Sequence, residues 1–132
     1  MSYYISQRCH QPFEKALERV RSALADEGFG VLTEIDVRAT LKMKLDVDFR
    51  NYIILGACNP PFAYKALQAE DKIGTMLPCN VLVQQISEDE VEIAAIDPVA
   101  SMQAVDNPEL NPLARQVREK LGHAVSRAAG PQ

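Results

Sequence analysis

Two short segments concentrate the residues of this chain that could do chemistry. One is Leu55-Gly56-Ala57-Cys58-Asn59-Pro60-Pro61 and the other is Leu77-Pro78-Cys79-Asn80. Each sets a Cys-Asn pair where an apolar run meets a change of chain direction. Cys58 stands just before a predicted helix, where the dipole favours an anion, so a nucleophilic or metal-ligating thiolate is one reading. A small buried hydrophobe at a strand end is the other, since free cysteine is among the most buried residue types. Cys79 follows Pro78 at the start of a predicted strand. If the two strands are neighbours, pairing of the thiols, joint metal ligation and plain packing all stay open. Their spacing fits no zinc knuckle. Asn59 and Asn80 add an amide beside each thiol, with capping and turn roles as the alternative.

Glu34 and Asp36 lie two apart on a predicted strand and so face the same way, which suits a metal or a cationic ligand as well as a solvated sheet face. Cys9-His10, as adjacent residues on one strand, would point in opposite directions. His123 falls near the end of the last predicted helix, where a cation complements the dipole. No Ser/His/Asp set, P-loop, Rossmann glycine pattern or HExxH motif occurs, so hydrolytic and nucleotide-dependent chemistry lacks support and no cofactor is specified.

The elements that must hold these residues follow from hydrophobic period. Tyr3 to Ser6 is a short β-prone stretch. Pro12 opens a helix whose stripe is Phe13, Ala16, Leu17, Val20 and Leu24, and Gly28 ends it. Phe29 to Val37 alternates as a strand with Val31, Thr33, Ile35 and Val37 on one face and Leu32, Glu34, Asp36 and Arg38 on the other, predicting a polar outer sheet face. Ala39 to Leu45 reads as a short helix or an extended bend. Asn51 to Ala57 carries the unbroken run Ile53-Ile54-Leu55 of a central strand. Asn59 and Pro60 can cap and open a helix with Phe62, Ala63, Ala66 and Leu67 inward. Val81 to Ile86 and Val91 to Ile96 form a hairpin across Ser87–Glu90. Asn107-Pro108 begins a last helix whose stripe includes Leu110, Leu113, Val117 and Leu121, and Gly130-Pro131 ends it.

The order β-α-β-β-β-β-α, with short helical insertions, predicts one α+β domain over residues 1–132. It is a two-layer sandwich of a mostly antiparallel sheet with two main helices on one face. At 132 residues such a domain buries a core without disulfide staples. An odd number of cysteines, three, makes no secreted disulfide framework. A net charge of -4 and a pI near 5.2 exclude a general nucleic-acid surface. With no Trp and 6% aromatic residues, a base-stacking or carbohydrate platform is not expected. No stretch is long and apolar enough to span a bilayer, and the N-terminal segment lacks a signal-peptide pattern, so a cytoplasmic location is expected.

Three blocks in order resemble the bacterial and archaeal family called domain of unknown function 302. They are Gly28-Phe29-Gly30-Val31-Leu32-Thr33-Glu34-Ile35-Asp36-Val37, Leu55-Gly56-Ala57-Cys58-Asn59-Pro60, and Ile73-Gly74 through Leu77-Pro78-Cys79-Asn80. The resemblance covers nearly the whole chain. It implies a small α+β domain, similar in outline to the TATA-binding-protein fold, that often occurs as a homodimer, and it implies no activity. A fold shared with a DNA-binding protein is no argument for DNA binding. Three functions are therefore carried forward. The first is a small-ligand or metal-binding domain built around Cys58, Cys79, Asn59 and Asn80, with Glu34 and Asp36 as further candidates. The second is a thiol-redox enzyme or sensor in which Cys58 attacks and Cys79 resolves. The third is a structural or protein-interaction module.

Overall fold

The structure, a computed structural model, describes residues 2–130, so Pro131 lies outside the described residues. Five strands form one open antiparallel sheet in the order β1-β5-β4-β3-β2, with β1 Tyr4–Cys9, β2 Gly30–Asp36, β3 Tyr52–Cys58, β4 Cys79–Ser87 and β5 Glu90–Ile96. Helices α1 (Phe13–Asp26) and α5 (Leu110–Ala129) pack against each other and cover one face, giving the expected two-layer α+β sandwich. Three shorter helices lie outside that layer: α2 (Val37–Leu45), α3 (Pro60–Ala69) and α4 (Pro98–Ser101).

The main core is where the period-2 and period-3.6 patterns meet. From the sheet come Ile53, Leu55, Val81, Val83, Val91 and Ile93; from α1 and α5 come Ala16, Val20, Leu24, Leu121 and Val125. Full burial of each Val, Leu or Ile side chain among them contributes about 1.5–3 kcal/mol. A smaller cluster of Ala66, Ile73 and Leu110, flanked by Leu77, Met102 and Leu113, ties α3 to the start of α5.

The end of α1 is fixed by a pair of backbone bonds. Phe29 N–H donates to the Leu24 carbonyl at 2.9 Å and Gly28 N–H to the Ala25 carbonyl at 3.0 Å, with Gly28 at φ 87°. This left-handed cap accounts for a glycine at 28.

The predicted alternation along β2 fails at one point, and the failure has a physical cause. The pairing with β3 slips between Val31, opposite Ala57, and Thr33, opposite Gly56, leaving Leu32 as an extra residue. A bulge of this kind inverts the phase of everything after it. Val31, Glu34 and Asp36 therefore sit on the helix-bearing face, opposite Ala57, Leu55 and Ile53, while Thr33 and Ile35 sit on the open face. Glu34 and Asp36 do not make the outer face polar, as alternation predicts. Glu34 pairs with Arg21 of α1, and Asp36 caps α2 by accepting from Ala39 N–H at 2.9 Å. Residues 37–45 are a helix, the first of the two readings open for Ala39 to Leu45, and it begins two residues earlier.

The last helix also starts later than its sequence signal. Asn107 holds the loop in front of it, its side-chain amide donating to the Ala69 carbonyl at 2.8 Å and its Oδ1 accepting from Glu109 N–H. His123 lies almost two turns before the helix end, so it does not cap α5; its ring is 3.8 Å from Glu27 instead.

Candidate functional site

Strand β3 and strand β4 are neighbours, with Ala57 opposite Cys79. That register brings the two cysteine segments to the same end of the sheet. Helix α3 leaves from β3 there and crosses towards α5, and the space between holds a cavity of about 290 Å³. The gap lies at the seam between the main core and the smaller cluster. Phe62, Ala66 and Leu67 of α3 wall one side, Leu113 and Val117 of α5 another, and Cys58, Cys79 and Asn59 line the sheet end. A cavity of roughly 150 Å³ lined by aliphatic and aromatic side chains accepts benzene, so twice that volume suits a molecule of on the order of ten carbon atoms.

The residues of this wall have distinct local causes. Leu32 is 67% exposed and borders the cavity because the β2 bulge turns it away from the sheet pairing. The Leu77-Pro78 peptide is cis, and Pro78 lies in the wall beside Cys79. Gly56 lets Thr33 and Pro78 close over the strand: a Cβ there would stand 2.8 Å from Pro78 Cγ and nearer still to Thr33 Oγ1. The face of α3 expected to pack inward, Phe62, Ala63, Ala66 and Leu67, instead borders the cavity, and only Ala66 of the four is fully buried.

Cys79 points to the helix side of the sheet, and its thiol is pushed up to about 11, first by burial and then by the neighbouring Cys58. It is a neutral thiol at physiological pH. Cys58, Cys79 and the fully buried Cys9 are free. Cys9 turns into the core and accepts from Gln11 Nε2 at 3.0 Å, while His10 faces outward to the Asp89 carbonyl. The pair is divided, as adjacent strand residues must be.

Asn59 is 9% exposed, and its side-chain amide donates to the Glu27 carbonyl at 3.3 Å. It stands at the N-terminal boundary of α3 but makes no side-chain cap. Instead it ties the entrance of α3 to the α1–β2 turn, and Gly28 leaves room for it, since a Cβ at 28 would be 3.1 Å from Asn59 Nδ2. The helix terminus beside Cys58 has little to offer an anion. Pro60 and Pro61 occupy its first two positions and carry no N–H. Asn80 pairs with Gly56 in register and is exposed on the open face of the sheet.

Thus Cys58, Cys79 and Asn59 come together at the cavity, and Asn80, Glu34 and Asp36 lie outside it. Among the described residues no three His, Cys, Asp or Glu side chains gather where they could hold a metal ion. The cavity walls contributed by α5 and the bulged Leu32 were not singled out as site residues. Leu113 and Val117 carry the same apolar signal as core positions, and Leu32 carries none that distinguishes it.

Fold and site define a small α+β domain with an apolar cavity at one end of an open antiparallel sheet. The chain belongs to the family described as domain of unknown function DUF302, which matches residues 5–128. It is similar to the crystal structure of an uncharacterized conserved protein DUF302 from Bacillus stearothermophilus, at 26% identity and a TM-score of 0.90, over 97% of this chain and 99% of that one. Comparison with curated proteins finds no match. Among the described residues no helix is long and apolar enough to cross a membrane.

Proposed function

We propose that this domain binds a small, mainly apolar molecule in the cavity between α3 and α5. The observation that carries the reading is the character of the walls: about 290 Å³ is bounded by aliphatic and aromatic side chains, two thiols and one amide, and no charged side chain lines it. Apolar pockets with a few polar groups are the usual form of small-molecule sites. Asn59 donates to the Glu27 carbonyl and Cys79 stays a neutral thiol, so neither presents a charge to a ligand.

Decanol is a suitable neutral probe, and isothermal titration against the full chain is the test. One equivalent should bind, and Ala63→Trp, which places an indole in the cavity from α3, should weaken binding at least about tenfold while the protein stays folded. Binding unaltered by Ala63→Trp would place the probe elsewhere and overturn the proposal.

A second reading, thiol redox chemistry, is supported by one observation, that Cys58 and Cys79 line the same cavity. Against it stands the raised Cys79 thiol, which makes a poor resolving nucleophile at neutral pH. A metal-binding reading has less support, since among the described residues no three His, Cys, Asp or Glu side chains gather where they could hold an ion.

A further inference from the structure

The cavity is uncharged, but its rim is not. Among the ten residues of α3, Pro60–Ala69, the one charged side chain is Lys65. Its Nζ lies 5.9 Å from the centroid of the Phe62 ring, and Phe62 is a partly exposed wall of the cavity. The ammonium therefore lies beside a residue of the cavity wall, while Lys65 itself does not line the cavity. Among the described residues Lys65 has no carboxylate within ion-pair distance, as is also true of Lys15, Lys44 and Lys120, but Lys65 is the one of these four that stands over an aromatic ring of the cavity wall. No Asp or Glu lines the cavity. A cation without a counter-ion beside an acid-free apolar pocket selects for the sign of a ligand's polar end.

From this we infer that the molecule taken up is a monocarboxylic acid of medium chain length, its hydrocarbon part in the cavity and its carboxylate at the rim beside Lys65. The inference rests on the apolar-cavity reading above and adds the head group to it. The volume limits the tail, since about twice the space that holds benzene accommodates on the order of ten carbons. The chemistry fixes the head. An alcohol would fill the cavity equally well but leave the Lys65 charge unmatched, and an amine would bring a second cation to it. Because the pair would sit at the surface, its contribution is modest and falls with added salt.

Decanoate, decanol and decylamine share one chain length and differ in the charge of the polar end. Titrating each into the wild-type chain, Lys65→Met and Lys65→Glu, below the concentrations at which the amphiphiles aggregate, separates the two levels of the reading. Lys65→Met should weaken decanoate about two- to fivefold, the size expected of an exposed ion pair, and leave decanol unchanged. Lys65→Glu should weaken decanoate further, on the order of tenfold, and favour decylamine. The decanoate difference between wild type and Lys65→Met should shrink as salt is raised. If decanol binds and decanoate is indifferent to both substitutions, the head-group assignment is wrong while the cavity reading stands. Equal losses for decanoate and decanol would mean that Lys65 acts by covering Phe62, which also overturns the assignment. If none of the three binds the wild type, the cavity reading itself fails.

Discussion

The thiol of Cys79 offers a quantitative handle on the site. Burial is the larger cause of its raised value and Cys58 the smaller, and together they move it from 9.0 to about 11. A two-unit displacement lowers the thiolate fraction about a hundredfold at any pH well below both values. Alkylation by iodoacetamide proceeds through the thiolate, so the rate at Cys79, followed by peptide mass spectrometry, should climb about tenfold per pH unit from pH 7 to pH 10 without levelling. Restricted access would scale every rate alike and leave that slope intact. The unfolded chain should instead begin to level near pH 9.

The same shift has a thermodynamic face. The native state holds this proton more tightly than the unfolded chain, so between 9.0 and about 11 the unfolded state binds fewer protons. Stability should be fully present below pH 9 and fall as pH rises through that window, by on the order of 2–3 kcal/mol in all. Cys79→Ala should remove this component of the pH dependence. A native labelling profile that levels at or below pH 9, or a Cys79→Ala variant with an unaltered alkaline stability curve, would refute the reasoning and restore Cys79 as a reactive thiol.

Two further expectations concern what holds the cavity in shape. Gly56→Ala should destabilise by about 1–3 kcal/mol in urea denaturation through overpacking against Thr33 and Pro78. Adding Thr33→Ala should recover part of that loss, and a neutral Gly56→Ala would show that the strand end yields freely. Asn59→Ala should cost about 1–3 kcal/mol by leaving the Glu27 carbonyl without its side-chain donor. Asn59→Asp should cost more, because it sets a carboxylate against that carbonyl; equal stability of the two variants, by the same assay, would contradict the donor role.

Much of the architecture was legible because the relevant signals are local. The stripe from Phe13 to Leu24, the cap at Gly28 and the apolar runs of β3, β4 and β5 each specify an element through short-range period and turn chemistry. The bulge at Leu32 was not legible. Val31-Leu32-Thr33 alternates acceptably in either phase, and only pairing with Ala57 and Gly56 decides that Glu34 faces α1. The site shows the same division. Two Cys-Asn junctions are visible in the chain, but they are not equivalent in space: Asn59 is buried at the cavity, while Asn80 is exposed on the opposite sheet face. Strand alternation separates Asn80 from Cys79, and a change of direction after Cys58 keeps Asn59 beside it. Phe62, Ala63 and Leu67 show why an apolar helical stripe predicts burial without saying against what. Here the stripe of α3 borders the cavity.

The domain thus combines a well-packed sheet-and-helix core with a gap beside it whose walls are apolar. A gap of this kind forgoes packing that larger side chains at Ala63, Ala66 or Ala114 would supply. Occupation by an apolar molecule would recover those contacts, which connects the packing of the fold to the proposed function.

The most direct test is a titration of isotopically labelled protein with decanol, followed residue by residue in amide NMR spectra. The account predicts saturable shifts concentrated on Phe62, Ala66, Ala114, Val117 and Cys79, with little change at Asn80 or along β1. Shifts confined to the open sheet face, or none at saturating decanol, would contradict it.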